Sequence, residues 1–328
     1  MAMVIVTLVA TMAASMVWQQ WRAVQVESAE RVRVQASWVL RGALDWARLI
    51  LREDGHNNVS DNLTEPWAIP LAEARLSTFL ASDNSNTLDD DTPDAFLSGQ
   101  VLDAQAKYNL RNLIGSDGSI VSQQVEVLQR LCTFIGLEPA LADGIADGLR
   151  KAALAVGATG SSTDQNTSAD SSNTLSASEK ATAPLLPQTL DDLLWIGLDG
   201  ATVERLRPYV TLLPDTTTVN VNTASKEVIA AVVPNLDLAR AARVVQARQR
   251  KPFTNLTKDM VAVLGEGSWN FQGLSPLSAY FEVRGRLRYE DNVIEQRHLV
   301  QRKGWDVVVR QQSSFSGLDP LATSGSTP

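Results

Sequence analysis

The chain has 328 residues, a formal net charge of −8 and one cysteine, Cys132. This length leaves room for two domains beyond any anchor, the acidic balance argues against a dedicated nucleic-acid or anionic-membrane binder, and a single thiol excludes an intramolecular disulfide. Stability must come from core burial, and Cys132, set in the apolar run LQRLCTFIGL, reads as a buried inert thiol.

Residues 1–21 carry no charged side chain, and the first charge is Arg22. A stretch of about 20 residues at about 1.5 Å per residue crosses a hydrocarbon core about 30 Å thick. Val4, Ile5, Val6, Leu8, Val9, Met12, Met16 and Val17 supply its apolar surface. A secretory signal peptide is the competing reading, with Ala13-Ala14-Ser15 as its cleavage site. It is disfavoured because no basic residue precedes the apolar run and the helical pattern continues past those small residues. The expectation is a retained transmembrane segment over residues 1–21, fused to an amphipathic stem helix over residues 22–54. The missing basic flank fits a short leader preceding Met1. On the stem, Val39, Ala43, Trp46, Ala47, Ile50 and Leu51 recur at helical spacing as one apolar stripe, and Asp54-Gly55 is expected to stop the helix.

Residues 56–95 are polar and loop-rich, with one helical piece expected near residues 72–81. Residues 96–113 read as a strand, a turn and a second extended or helical piece. Residues 120–154 return to helix, with Val125, Leu128, Leu131, Cys132 and Ile135 on one face. Residues 157–184 are Ser, Thr, Asn, Ala and Asp with no aromatic residue; they read as a disordered linker. Helix signals resume at Thr189 and run to about Leu264. Tyr280 to Tyr289 alternates, as do Ile294–Val300 and Trp305–Val309, with Glu290-Asp291-Asn292 as turn chemistry between them.

The domain reading is a first α/β part at residues 55–113, an inserted helical domain at residues 114–276 and returning antiparallel strands at residues 277–312. Residues 313–328 form a flexible tail. The fold class is α+β, because the C-terminal strands alone are too few to bury a core and the helical block reads as an insertion between strands of one sheet.

Val219 to Ser225 (VNVNTAS), the helix after it and the helix over residues 238–250 resemble a helix-hairpin-helix unit. In DNA-binding examples, hairpin glycines expose backbone N–H groups to phosphate. Here the hairpin is Val233-Pro234-Asn235-Leu236-Asp237, without glycine and with a carboxylate. A membrane-tethered DNA-binding protein is therefore the second functional reading, and a structural or protein-contact role the first. Asp83, Asp89, Asp91 and Asp94 lie in a loop of hard oxygen ligands and are weak calcium candidates. His56 and His298 are isolated, and no nucleophile elbow, metal-ligand spacing or phosphate loop occurs, so the chain does not read as an enzyme.

Four stretches, in order, resemble those of the K class of type II secretion minor pseudopilins. They are the apolar N-terminal helix; Asp61-Asn62-Leu63-Thr64-Glu65-Pro66-Trp67-Ala68; Tyr108-Asn109-Leu110-Arg111-Asn112-Leu113; and the Val219–Ser225 run with Asn220, Asn222 and Thr223. The resemblance covers nearly the whole chain. It implies a pseudopilin fold with a long N-terminal helix on an antiparallel sheet and an inserted all-helical domain. It implies a single-pass inner-membrane protein, mostly periplasmic, processed by prepilin peptidase. Its implied place is the pseudopilus tip, with the I and J minor pseudopilins, other pseudopilins and the inner-membrane secretion platform as partners and no nucleic acid. Most relatives of this kind carry Glu at position 5 of the mature chain; Ile5 stands there if Met1 is near the mature start, as is typical of the K class. The class also carries an acidic, calcium-associated stretch after the first helical block. At the equivalent place, Ala146–Ala152, only Asp147 is retained, which argues against calcium there.

Overall fold

The computed structural model describes residues 2–57, 59–76, 95–160, 177–289 and 292–318. The chain divides into two compact units. One comprises residues 1–56, 69–101 and 282–328; the other comprises residues 57–68 and 102–281.

The first unit is built on α1 (Ala2–Asn57), 56 residues long. No glycine or proline interrupts it before Gly42, and its hydroxyl side chains bond back to the preceding turn. Thr7, Thr11 and Ser15 donate to the carbonyls of Val4, Leu8 and Met12 at 2.8–2.9 Å. The hydroxyls of the charge-free segment are thus satisfied within the helix, as an apolar solvent demands.

A five-stranded sheet has the order β1-β2-β7-β8-β9. Its strands are β1 (Leu71–Arg75), β2 (Ala95–Asp103), β7 (Tyr280–Tyr289), β8 (Asn292–Lys303) and β9 (Asp306–Leu318). β1 pairs antiparallel with β2, and β8 with β9. β2 and β7 are neighbours although the whole helical block lies between them in sequence, so the α+β reading with an inserted block is correct. Ala36 and Leu40 of α1 pack on Leu97 and Leu287 of the sheet. A side chain at Gly285 would come within 3.0 Å of Leu40, so the glycine lets helix and sheet approach.

Several expectations are corrected here. The buried stripe of α1 is Ala36, Leu40, Leu44, Ala47 and Leu51. Val39, Ala43 and Ile50 sit at its edge, and Trp46 faces out. The stripe is rotated because packing is centred on Leu40 and Leu44 rather than on the larger Trp46. Gly55 does not stop the helix, which continues to Asn57. Its lack of a side chain serves a close approach instead: a Cβ there would lie 2.9 Å from Cδ of Arg302. Residues 71–75 are strand, not helix, because pairing of Ala74 with Leu97 and Arg75 with Phe96 outweighs the helix propensity of Ala and Glu. Residues 313–318 are not tail. They are held in β9 by pairing from Ser313↔Arg297 to Leu318↔Asn292. The turn residues Glu290 and Asp291 lie outside the described residues.

The second unit contains α2 (Ser122–Phe134), α3 (Leu141–Gly160), α4 (Ala177–Thr182), α5 (Gly200–Leu206), α6 (Lys226–Val232), α7 (Leu238–Arg250) and α8 (Leu256–Leu264). Two short parallel bridges tie its loops: β3 (Tyr108–Asn109) with β4 (Val210–Thr211), and β5 (Val219–Asn220) with β6 (Leu274–Ser275). Leu128, Leu131, Cys132, Ile145, Leu193, Val228 and Ile229 form the centre of its core. The expected boundary at residue 114 differs from the observed division. Residues 102–113 belong to this unit because Tyr108, Leu110 and Leu113 are buried in its core. At the far end the division falls after Phe281 rather than at residue 276. Of the expected linker at residues 157–184, residues 157–160 end α3 and residues 177–182 form α4; residues 161–176 lie outside the described residues.

Candidate functional site

Two kinds of site residue emerge: exposed apolar ones on α1 and buried polar ones in the helical unit. Val4, Ile5, Val6, Leu8, Val9, Met12, Met16 and Val17 are all exposed. The helix is long and apolar enough to cross a membrane, and no part of its most apolar window is buried within the chain. An unbroken apolar surface of this length is stable only in lipid or against other apolar helices. Trp18 and Trp21 end it, and the Arg22 guanidinium stacks over the Trp18 ring at 4.9 Å. Indole and guanidinium together suit the boundary between hydrocarbon and water. Beyond it, Trp38 (66% exposed) and Trp46 (58% exposed) leave a second apolar face on the stem, opposite the one packed on the sheet. The sequence reading missed Trp38; its signal was an indole off the helical stripe.

The buried polar centre gathers Asp61, Asp103, Asn220, Thr223 and Ser278. Asp103 caps the 3-10 turn Ala104–Ala106, accepting from the Gln105 N–H at 2.8 Å. Its other carboxylate oxygen accepts from Thr223 Oγ1 at 2.6 Å, Ser278 Oγ at 2.7 Å and Asn220 Nδ2 at 2.8 Å. Burial pushes the Asp103 carboxyl above its ordinary 3.8, against the pull of those four donors. Asn220 Nδ2 also reaches the Asp61 carbonyl at 3.0 Å, and the Asp61 carboxylate accepts from the Ser278 N–H at 2.6 Å. Asp103 was not singled out in the sequence, although an Asp followed by a short helical turn is a recognisable cap.

The other motif residues act as staples. Glu65 accepts from Trp67 Nε1 and Asn62 Nδ2, each at 2.6 Å. The Trp67 ring lies edge-on to Phe281 at 5.2 Å. Tyr108 donates to the Gln124 carbonyl at 3.0 Å, and burial holds its phenol well above the ordinary range. Asn109 Nδ2 donates to the Asp215 carbonyl, and its Oδ1 accepts from the Arg111 and Leu213 N–H groups. Asn112 grips the backbone of Thr217 at both N–H and carbonyl, at 3.0 and 2.7 Å. Asn222 grips Phe253 in the same way, at 2.8 and 2.9 Å. Each amide thereby copies the two-point pairing of a strand where no strand can run. A core of this kind positions loops; it offers no exposed acid–base pair.

In the hairpin, Asn235 supplies the left-handed residue (φ 63°) that a glycine would otherwise supply. Asp237 caps α7, accepting from the Arg240 N–H at 2.7 Å, so a carboxylate occupies the helix N-terminus. Arg248 donates inward to the Val221 carbonyl, and burial lowers its guanidinium to about 10. Arg240 stacks over Trp269 at 5.7 Å. A carboxylate at that helix N-terminus and an inward-turned Arg248 disfavour a phosphate at the hairpin. Asp83, Asp89, Asp91 and Asp94 lie outside the described residues. Asp147 binds Lys151 Nζ at 2.6 Å and Arg150 at 3.5 Å, so its carboxylate already has cations and the residues there do not fit a calcium ion. Cys132 is wholly buried and its thiol is pushed up to about 11, as an inert thiol should be. His298 is buried in strand β8.

Family models described as type II secretion system protein K match residues 106–215 and 219–266. The chain is 27% identical to the type II secretion system protein K of Pseudomonas aeruginosa over 263 residues, covering 76% of this chain and 71% of that one. It is 29% identical to the protein of the same name from Klebsiella pneumoniae over 264 residues, covering 76% and 73%. A shorter match to that of Dickeya chrysanthemi is 33% identical over 134 residues, covering 38% of each. In fold, the chain is similar to a chain from the crystal structure of the GspK-GspI-GspJ complex of enterotoxigenic Escherichia coli. The TM-score is 0.60 at 18% identity, covering 88% of this chain and 98% of that one.

Proposed function

Since the chain belongs to the K class of type II secretion minor pseudopilins, we propose that it stands at the tip of the pseudopilus. There it initiates or caps the filament that exports folded proteins across the outer membrane. The I and J minor pseudopilins are its direct partners, as they are those of the chain in the GspK-GspI-GspJ complex that this fold resembles. The carrying observation is the bare apolar length of α1 together with its charge content: residues 1–26 carry no carboxylate. A carboxylate inside an apolar helix bundle needs a partner from a neighbour above it, whereas a subunit without one can stand where nothing stacks above. The inner membrane stores the subunit, with the bulk of the chain in the periplasm. Prepilin peptidase and the secretion platform act on it there.

The reading is a structural one, without catalysis or nucleic acid. It is supported by motif amides, carboxylates and hydroxyls that are engaged internally and by Asp237 at the hairpin helix. The test is co-purification of the full chain in detergent with tagged I and J subunits. A stable ternary complex is the expected result. Failure to associate, with salt-sensitive DNA binding instead, would replace it with the helix-hairpin-helix reading.

A further inference from the structure

The unit formed by α1 and the sheet contains a groove of about 600 Å³ that neither the anchor nor the motif staples use. Gln25, Ser28, Val32 and Arg33 of α1 form one wall; β7, β8 and β9 form the other, with Tyr289, Asn292 and Ser316 interleaved with the apolar Val293 and Ile294. Among the described residues that line it, Arg33 is the only charged one. Arg33 makes no ion pair or hydrogen bond among the described residues, whereas nearby Arg31 is paired with Glu27 at 3.1 Å.

The groove also has a defined height. The charge-free segment ends at Trp21, so at about 1.5 Å per residue Gln25 to Arg33 lie about 6–18 Å beyond it. The headgroup layer adds about 5–8 Å to each face of the hydrocarbon core. Gln25 and Ser28 thus stand at or just above headgroup level. Side chains on a helix lean toward its N-terminus, and a long cationic one snorkels, so Arg33 reaches toward the same level. The Gln25 and Asn292 amides and the Ser316 hydroxyl beside a guanidinium that is unpaired among the described residues suit a phosphodiester, which a planar guanidinium binds with two parallel bonds.

We propose that this groove holds the phosphate-bearing headgroup of a membrane phospholipid, with Arg33 as the anchoring residue. The bound lipid would keep the sheet unit seated on the membrane surface until the subunit is drawn into the filament. The inference rests on the membrane-anchored reading of α1.

The test is magic-angle-spinning NMR of the full chain, labelled at arginine, in phosphatidylethanolamine–phosphatidylglycerol bilayers. It reads dephasing of guanidinium carbon by lipid ³¹P. The expected result is two dephased arginine signals, one lost in R22Q and the other in R33Q, with the second retained in part in R33K and weakened in N292L. Arg31 serves as the control that stays undephased. Dephasing that disappears with R22Q and is indifferent to R33Q overturns the groove and leaves the anchor intact. A chain that fails to enter the bilayer, with no dephased arginine, overturns the anchored reading and the groove with it. Unchanged backbone shifts in R33Q exclude misfolding as the cause of any loss.

Discussion

Asn220 Nδ2 lies 2.8 Å from Asp103 Oδ2, joining residues 117 apart in sequence at a point where both are buried. The same nitrogen reaches the Asp61 carbonyl and Ser278 Oγ, so one amide organises four separate stretches of the helical unit. Replacing it with leucine leaves a buried carboxylate short of a donor and the Asp61 carbonyl exposed to an apolar group. N220L should destabilise the helical unit by about 3 kcal/mol, given the penalty for orphaned buried polar groups next to a charge. Thermal unfolding of the full chain in detergent checks this. A change within about 0.5 kcal/mol, the size of an ordinary surface substitution, would show that the amide is dispensable.

Asp103 should give the helical unit an unusual pH dependence. Burial raises its carboxyl in the folded state above the ordinary 3.8. The folded state therefore holds a proton more tightly than the unfolded one. This group's stabilisation is complete below about pH 3.8 and is lost as pH rises through the folded value. D103N keeps a neutral, hydrogen-bonding group there. Across that window, wild type should lose stability with rising pH relative to D103N. Parallel curves for the two proteins would locate the proton elsewhere.

His298 works in the opposite sense in the sheet. It is buried in β8 opposite Gln312 of β9, and burial lowers its imidazole below the ordinary 6.5, against a hydrogen bond with Gln312 that raises it. The stabilisation it gives is present above pH 6.5 and is lost as pH falls through the folded value, because the unfolded chain takes up the proton first. H298Q should flatten the acid limb of the unfolding curve below pH 6.5 without altering stability at pH 8 by more than about 1 kcal/mol. Fluorescence-monitored melts across that range give the comparison.

The sequence made some of this legible because the signals were local. The charge-free run to Trp21 and the alternation from Tyr280 need only nearest neighbours to be read. What it hid was decided by distant partners. Residues 72–74 favour helix, yet pairing of Leu71, Ala74 and Arg75 with β2 holds them extended, and a Ser- and Gln-rich stretch after Gln311 becomes strand because β8 runs beside it. Asn112 and Asn222 stood out as motif residues, but their task appears only once Thr217 and Phe253 are seen at the other end of their hydrogen bonds. Trp46 was assigned to the wrong face because a stripe of apolar residues does not say which of two faces meets the sheet.

The end of α1 supplies the last prediction. Arg302 Nη1 lies 2.9 Å from Asp54 Oδ2, with side chains only 9% and 11% exposed. Arg302 also reaches toward the Leu51 carbonyl, and His56 meets Trp305 of the β8–β9 turn edge-on at 3.8 Å. The hairpin therefore clasps the helix terminus, with Gly55 giving Arg302 room. A buried pair is weak evidence of net stability, since desolvation opposes attraction, yet breaking it from one side strands the other charge. D54L alone should destabilise the sheet unit by about 3–5 kcal/mol, whereas D54L with R302M should recover most of that loss. G55A should also destabilise, against its better helix propensity, because its new Cβ would press on the pinned arginine. Denaturant titration of the four proteins decides it. A double variant as unstable as D54L, or a G55A more stable than wild type, would mean the clasp depends on something other than this ion pair.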